Sequence, residues 1–147
     1  MIRPAIEADI PDILRMGRMF WAQTAYASIP FCLDSMTVSV RQMMAAHLLL
    51  MAEMDGVVAG SIGALASPLY ANRAIQVAAE LWFWVEPGYR KSGVGRDLMQ
   101  AMEDAARAQG VHLMTMISLE AVEPEIARQM YLRSGYEMTE HSFLKVL

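Results

Sequence analysis

The sequence predicts an α/β fold, with one mixed central sheet of about six to seven strands flanked by about four helices. Three observations predict it. Two apolar runs, Leu48 to Met54 and Val57 to Ala66, are divided by Asp55-Gly56, a pair that favours a two-residue hairpin turn. A strand rich in Trp, Phe and Val, from Val77 to Val85, is closed by Pro87 and Gly88 and runs into an amphipathic helix. Helical and strand-like periodicities interleave along the chain, as a sheet covered by helices requires.

Ile2 to Ala5 reads as a short strand. Asp9-Ile10-Pro11-Asp12 starts a helix: Asp9 can cap free amides, proline fits the first turn, and Asp12 sets negative charge near the positive end of the dipole. Ile13, Leu14, Gly17, Phe20 and Trp21 continue as an apolar stripe, which ends this helix around Gln23. A loop with Pro30 leads to a second helix, Ser35 to His47, in which Met36, Val40, Met43 and Met44 recur at helical spacing. A third helix runs from about Gly93 to Gln109, with Val94, Leu98, Met102 and Ala105 on one face and Gly110 as its terminator. Val111 to Ser118 reads as strand, Glu125 to Arg133 as a short helix, and Tyr136 to Leu147 as closing strands.

The 147 residues, 55% hydrophobic, suffice for one core and so for a single domain over residues 1–147. Twelve Lys and Arg against sixteen Asp and Glu leave a net charge of -4, and Lys91 and Lys145 are the only lysines, so no nucleic-acid partner is expected. No stretch approaches the ~18 apolar residues of a membrane helix, and Glu7 and Asp9 interrupt any signal-peptide core. A cytoplasmic protein without a membrane partner is the expectation. Cys32, the single cysteine, excludes an internal disulfide and is expected to be a small buried hydrophobe. Fourteen methionines without a repeat period read as adaptable core and pocket filling. His47, His112 and His141 share no metal-ligand spacing, so no metal is expected, and Gly60-Ser61-Ile62-Gly63 is not the nucleophile elbow of a serine hydrolase.

The stretch from Glu80 to Met99 carries the chemistry: strand, glycine turn, helix start. Free amides at a helix N-terminus and unhindered backbone at Gly93 and Gly95 suit phosphate oxygens, and Arg90, Lys91 and Arg96 add charge. A P-loop is excluded because no Gly-Lys-Ser or Gly-Lys-Thr follows, and Leu98 stands where a dinucleotide fingerprint has its third glycine. Arg90, Gly93 and Gly95 fit the acyl-CoA signature of the GNAT superfamily of N-acyltransferases, which reads Gln or Arg, any two residues, Gly, any one residue, then Gly or Ala. Ala127 to Tyr136 resembles that family's late segment, Ala, three residues, Tyr, three residues, Gly and an aromatic. The order of elements is similar to the family's over nearly the whole chain.

The resemblance implies a GNAT-like fold in which the amides of Lys91, Ser92, Gly93, Val94, Gly95 and Arg96 hold the pyrophosphate of a CoA thioester, with Arg90 in the same turn. It implies that the backbone of Phe83, Trp84 and Val85 pairs with the pantetheine arm, admitted where the strand after Val111 splays away. Pro124 stands where many relatives carry an asparagine that contacts pantetheine. The reaction so implied is transfer of an acetyl or other short acyl group from acetyl-CoA to a primary amine, of a small molecule or a protein, by direct attack. Attack needs a neutral amine and a protonated leaving thiol, hence a base and an acid.

Glu80 is the candidate base. Alternation places it with Trp82 and Trp84 on one strand face, where desolvation would raise its pKa, and a structural ion pair with Arg73 is the other reading. Glu120 is a second candidate. Tyr131 matches the family tyrosine that protonates the departing sulfur, its alternative role being a core aromatic. Trp21, Tyr26 and Phe31 are candidates for the acceptor pocket, and the acidic balance favours a cationic acceptor. A catalytically silent acyl-CoA-binding or sensing module, and a transferase of longer chains, are the rival readings. The open sheet edge and the apolar excess leave room for a homodimer.

Overall fold

The structure, a computed structural model, describes residues 1–119 and 124–147. Strand β1 (Ile2–Pro4) is followed by a short 3-10 turn, helix α1 (Ile10–Trp21) and helix α2 (Leu33–Ala45). Strands β2 (Leu49–Met54), β3 (Val57–Leu69) and β4 (Asn72–Val85) then form a meander, and α3 (Val94–Ala108) crosses over to β5 (Leu113–Thr115) before α4 (Pro124–Arg133). The sheet keeps chain order, β1-β2-β3-β4-β5, antiparallel throughout except for the parallel β4–β5 pair, so it is mixed as expected. Asp55 and Gly56 both take positive φ, 52° and 77°, the conformation a tight hairpin with right-twisted arms needs.

Both faces of the sheet are covered. Leu50, Ala52, Ile62, Ala64 and Ala78 pack with Val94, Leu98, Met102 and Ala106 of α3. On the other face Leu49, Met51, Trp82 and Trp84 meet Ile10, Ile13 and Met16 of α1 and Val40 and Met43 of α2. Alternate residues of β2 thus serve opposite cores, which explains its uninterrupted apolar run. Arg3 of β1 binds Asp9 through both terminal nitrogens, at 2.7 and 2.8 Å, and also Glu53 at the end of β2, tying the first strand to the entry of α1.

Several expectations are corrected. The sheet has five strands among the described residues, not six to seven. Tyr136–Leu147 adds none, and residues 137–147 lie exposed. A strand-like composition says only that a segment suits a pleated, half-buried surface. The short β5 offers little of it, since the expected strand Val111–Ser118 pairs only over Leu113–Thr115. Conversely, β3 and β4 pair beyond Ala66 and before Val77, with Pro68 opposite Gln76. Proline is tolerated there because β3 has lost its β2 neighbour after Gly63, so one side of the strand is open.

Asp9 does not cap α1. Its carboxylate accepts instead from the Ile6 amide, at 2.8 Å, and from Arg3. Cys32 is exposed rather than buried, because it lies in the loop just before α2, where Ser35 Oγ donates to its sulfur at 3.2 Å.

At Gly60 the strands approach closely, for a Cβ there would lie 2.5 Å from the backbone oxygen of Trp84, which cannot swing aside. Gly60→Ala should therefore lower stability by about 1 to 3 kcal/mol in urea unfolding. Gly88→Ala, with nothing within 4 Å of the added carbon, should stay within about 0.5 kcal/mol of the parent. Equal effects at the two sites would contradict the close β3–β4 approach.

Candidate active site

β4 and β5 pair at Val77–Leu113, Ala78–Met114 and Ala79–Thr115, and their ladder goes no further among the described residues. From Glu80 to Val85 strand β4 pairs, among the described residues, on its β3 side alone, which leaves a wedge where the family resemblance implies a splay. At the same level β4 holds one extra residue. Ala64 pairs with Glu80 and Gly63 with Trp82, so Leu81 is bulged. Neighbouring residues of β3 face opposite sides, and therefore so do Glu80 and Trp82. The expectation that Glu80, Trp82 and Trp84 share a face is overturned by that bulge, because the period of two fails across an inserted residue. Glu80 instead shares the side of Ala64, beneath α3.

Glu80 is 2% exposed. Arg73 does not reach it, and among the described residues it forms no ion pair; its Oε2 accepts the Ile117 amide hydrogen at 2.9 Å. Desolvation raises its carboxyl to about 7, and the hydrogen bond from that amide opposes it. The Tyr131 hydroxyl, on α4, donates to the carbonyl of the same Ile117 at 3.0 Å. Burial, with the charge of Glu80 close by, pushes the Tyr131 phenol well above its ordinary range and keeps it protonated at neutral pH. The two sequence-predicted proton-transfer residues are thus brought together around one backbone residue. Glu120 lies outside the described residues.

The other predicted group gathers at the start of α3. Gly93 takes φ +91°, a conformation that disfavours any side chain, and caps the helix. The first helical bond runs from Asp97 N–H to the Gly93 carbonyl, so the amides of Gly95 and Arg96 have no intrahelical acceptor, while Val94 N–H turns to Ser92 Oγ at 3.4 Å. A Cβ on Gly95 would touch Val85, Phe83 and Met130 at ordinary distances of 3.6 to 3.7 Å, so glycine here leaves the helix start bare between β4 and α4. A cleft of about 530 Å³ opens beside it, lined by Arg96, Glu125, Gln129, Met130, Arg133 and Ser134. Arg90 folds back: its guanidinium stacks 5.1 Å over Trp84 and Nε donates to the Val85 carbonyl at 3.2 Å. Lys91 is exposed. Bare amides and cationic side chains beside a cleft suit a polyphosphate group.

The profile described as Acetyltransferase (GNAT) family matches residues 16–136. The chain belongs to the GNAT acetyltransferase family. No curated protein sequence matches it. Among solved structures this GNAT chain resembles AAC(6')-Iy in complex with the bisubstrate analogue CoA-S-monomethyl-acetylneamine, at 18% identity and TM-score 0.76 over 100% of this chain and 97% of that one. A predicted acetyltransferase from Clostridium acetobutylicum, solved with acetyl-CoA, gives 17% and 0.74 over 100% and 95%. Ribosomal-protein-alanine N-acetyltransferase from Brucella melitensis gives 23% and 0.73 over 93% and 84%. These likenesses establish the GNAT fold.

Trp21, Tyr26 and Phe31 form a cluster of their own at the end of α1, with Trp21 stacked on Tyr26 at 5.6 Å and edge-on to Phe31 at 6.3 Å. Ile117, Gln129 and Arg133 were given no role by sequence. The latter two sit inside the matched late segment, whereas a backbone contact such as that of Ile117 has no residue signature at all. Pro124 opens α4, and its carbonyl accepts from Ser118 Oγ at 3.1 Å. Among the described residues, no three His, Cys, Asp or Glu converge as metal ligands, and no helix is long and apolar enough to cross a membrane.

The raised Glu80 carboxyl has a thermodynamic signature. Its native value of about 7 exceeds the ~4.3 of an unfolded glutamate, so the native state binds the proton more tightly. The stability this group contributes is complete below about pH 4 and is lost as pH rises through about 7. The wild type should therefore lose stability relative to Glu80→Gln across that window in urea midpoints. A difference that stays constant with pH would mean that Glu80 titrates as it does when unfolded.

Proposed function

We propose that this GNAT chain is an N-acetyltransferase that moves an acetyl, or another short acyl, group from CoA to a primary amine by direct attack. The observation that carries the reading is the convergence of Glu80 and Tyr131 at the closed end of the β4–β5 wedge, with the bare start of α3 nearby. The binding of acetyl-CoA and of a CoA bisubstrate analogue by structural neighbours supports the choice of donor. Their acceptors, an acetylneamine moiety in one case and a ribosomal-protein alanine in another, have only an amine in common. The acceptor class is accordingly a small-molecule or protein amine.

In this reading the amides of Gly95 and Arg96 and the charges of Arg96 and Lys91 hold the pyrophosphate. The backbone edge of Phe83 and Trp84, which β5 does not pair, lies along the pantetheine arm, while the Val85 carbonyl is already engaged by Arg90. The thioester supplies an activated acyl carbon. Glu80, with a carboxyl near neutrality, takes the proton that the amine nitrogen must lose as the C–N bond forms. Tyr131, protonated throughout, gives its hydroxyl hydrogen to the sulfur as the C–S bond breaks. Solvent returns a proton to the phenolate and accepts one from the carboxyl, so the two groups are restored.

Calorimetric titration with acetyl-CoA should show micromolar binding that a Gly93→Glu, Gly95→Glu double variant loses, since carboxylates would then occupy the anion site. Absence of binding at millimolar donor would leave the turn as a helix start and nothing more. With an accepted amine, Tyr131→Phe should lower kcat by about a hundredfold while donor affinity holds. An unchanged kcat would remove the acid role.

A further inference from the structure

Ile117 stands two residues beyond the last ladder pair, Ala79–Thr115. A strand that leaves its neighbour strips its N–H and C=O of partners, and buried backbone groups must find others. At Ile117 the substitutes are side chains, for Glu80 accepts its N–H at 2.9 Å and Tyr131 donates to its carbonyl at 3.0 Å. The segment is anchored again one residue later, where Ser118 Oγ donates to the Pro124 carbonyl at the head of α4. The Ile117 side chain takes no part, being half exposed.

We propose that the backbone of Ile117 is the positioning element of this site, its N–H orienting the carboxylate of Glu80 and its carbonyl parking the hydroxyl hydrogen of Tyr131. The proposal rests on the reading of Glu80 as base and Tyr131 as acid. An amide that donates to a carboxylate favours its charged form, so Ile117 tempers the effect of burial and keeps Glu80 able to ionise near neutrality. The carbonyl accepts the one hydrogen that Tyr131 owns, which aims it at a fixed point until the C–O bond rotates towards another acceptor. Tyr131 is the titratable group that feels the charge of Glu80, and among the described residues no cation and no second carboxylate acts on that carboxyl. Both proton-transfer groups are thereby placed by one departing strand, and the spacing between them follows from where β5 leaves β4.

Two measurements test this on the full chain. In NMR pH titrations the Ile117 amide hydrogen should move with the Glu80 carboxyl, near pH 7, and the step should vanish in Glu80→Gln. An amide that does not titrate, or a step that survives Glu80→Gln, overturns the proposal. In rate profiles Ile117→Pro, which deletes the N–H, should raise the lower midpoint of kcat/KM by about one pH unit, as expected for loss of a hydrogen bond to a charged group. Ile117→Ala, which keeps the N–H, should leave that midpoint in place. Equal shifts in both variants, or none in either folded variant, overturn it. Should the proline variant not fold, the titration of the amide decides alone. An amide that titrates beside a rate with no matching midpoint would instead overturn the assignment of Glu80 as base, and with it the catalytic use of the contact.

Discussion

The parting of β5 from β4 after Ala79 and Thr115 is the constraint on which the rest of the site depends. A parallel ladder that continued would seal the space beside Glu80 to Val85 with backbone hydrogen bonds. Its interruption leaves polar groups that have to be satisfied in another way, and the chain supplies two side chains for the task. The bulge at Leu81 belongs to the same event. By inserting one residue opposite the Ala64–Gly63 step, it turns Glu80 to the side of α3 while Trp82 and Trp84 remain in the core beneath α1 and α2. Without that inserted residue, period-two alternation would give the carboxylate and the two tryptophans the same face.

Two buried carboxylates show how much the surroundings decide. Asp9 and Glu80 are both nearly inaccessible, at 7% and 2% exposure. The guanidinium of Arg3 and the Ile6 amide hold Asp9 below its ordinary range, so it stays ionised and fastens β1 to the entry of α1. Among the described residues Glu80 has one amide and no cation as partner, and desolvation lifts it towards neutrality. The first carboxylate is a fixed charge in a structural clamp. The second can change charge at the pH of a cell, which is the property a proton acceptor needs.

Much of the fold was legible because it rests on short-range signals. Asp55-Gly56 has few conformations other than a tight turn, and the stripes of α1 and α3 are set by spacing alone. Glu80 and the turn from Arg90 to Arg96 could be picked out by residue type and setting, and Tyr131 by its match to the late segment of the GNAT family. What escaped depends on tertiary geometry. The bulge at Leu81 is a mismatch between two strands and exists in neither by itself, so alternation assigned Glu80 to the wrong face. Ile117 acts through groups that every residue has. The closing strands expected from Tyr136 to Leu147 needed a long neighbour, and β5 runs for only three residues.

The agreement between chain order and sheet order has a consequence for how the molecule assembles. β2, β3 and β4 are joined by short turns, so their pairings close small loops and cost little entropy at the outset. The bond from Arg3 to Glu53 spans 50 residues, and that from Glu80 to Ile117 spans 37 with a whole helix between. Contacts of that range are favourable only once the meander offers a finished surface. The contacts that set the two proton-transfer groups around Ile117 therefore depend on a platform that the short-range pairings of the meander supply.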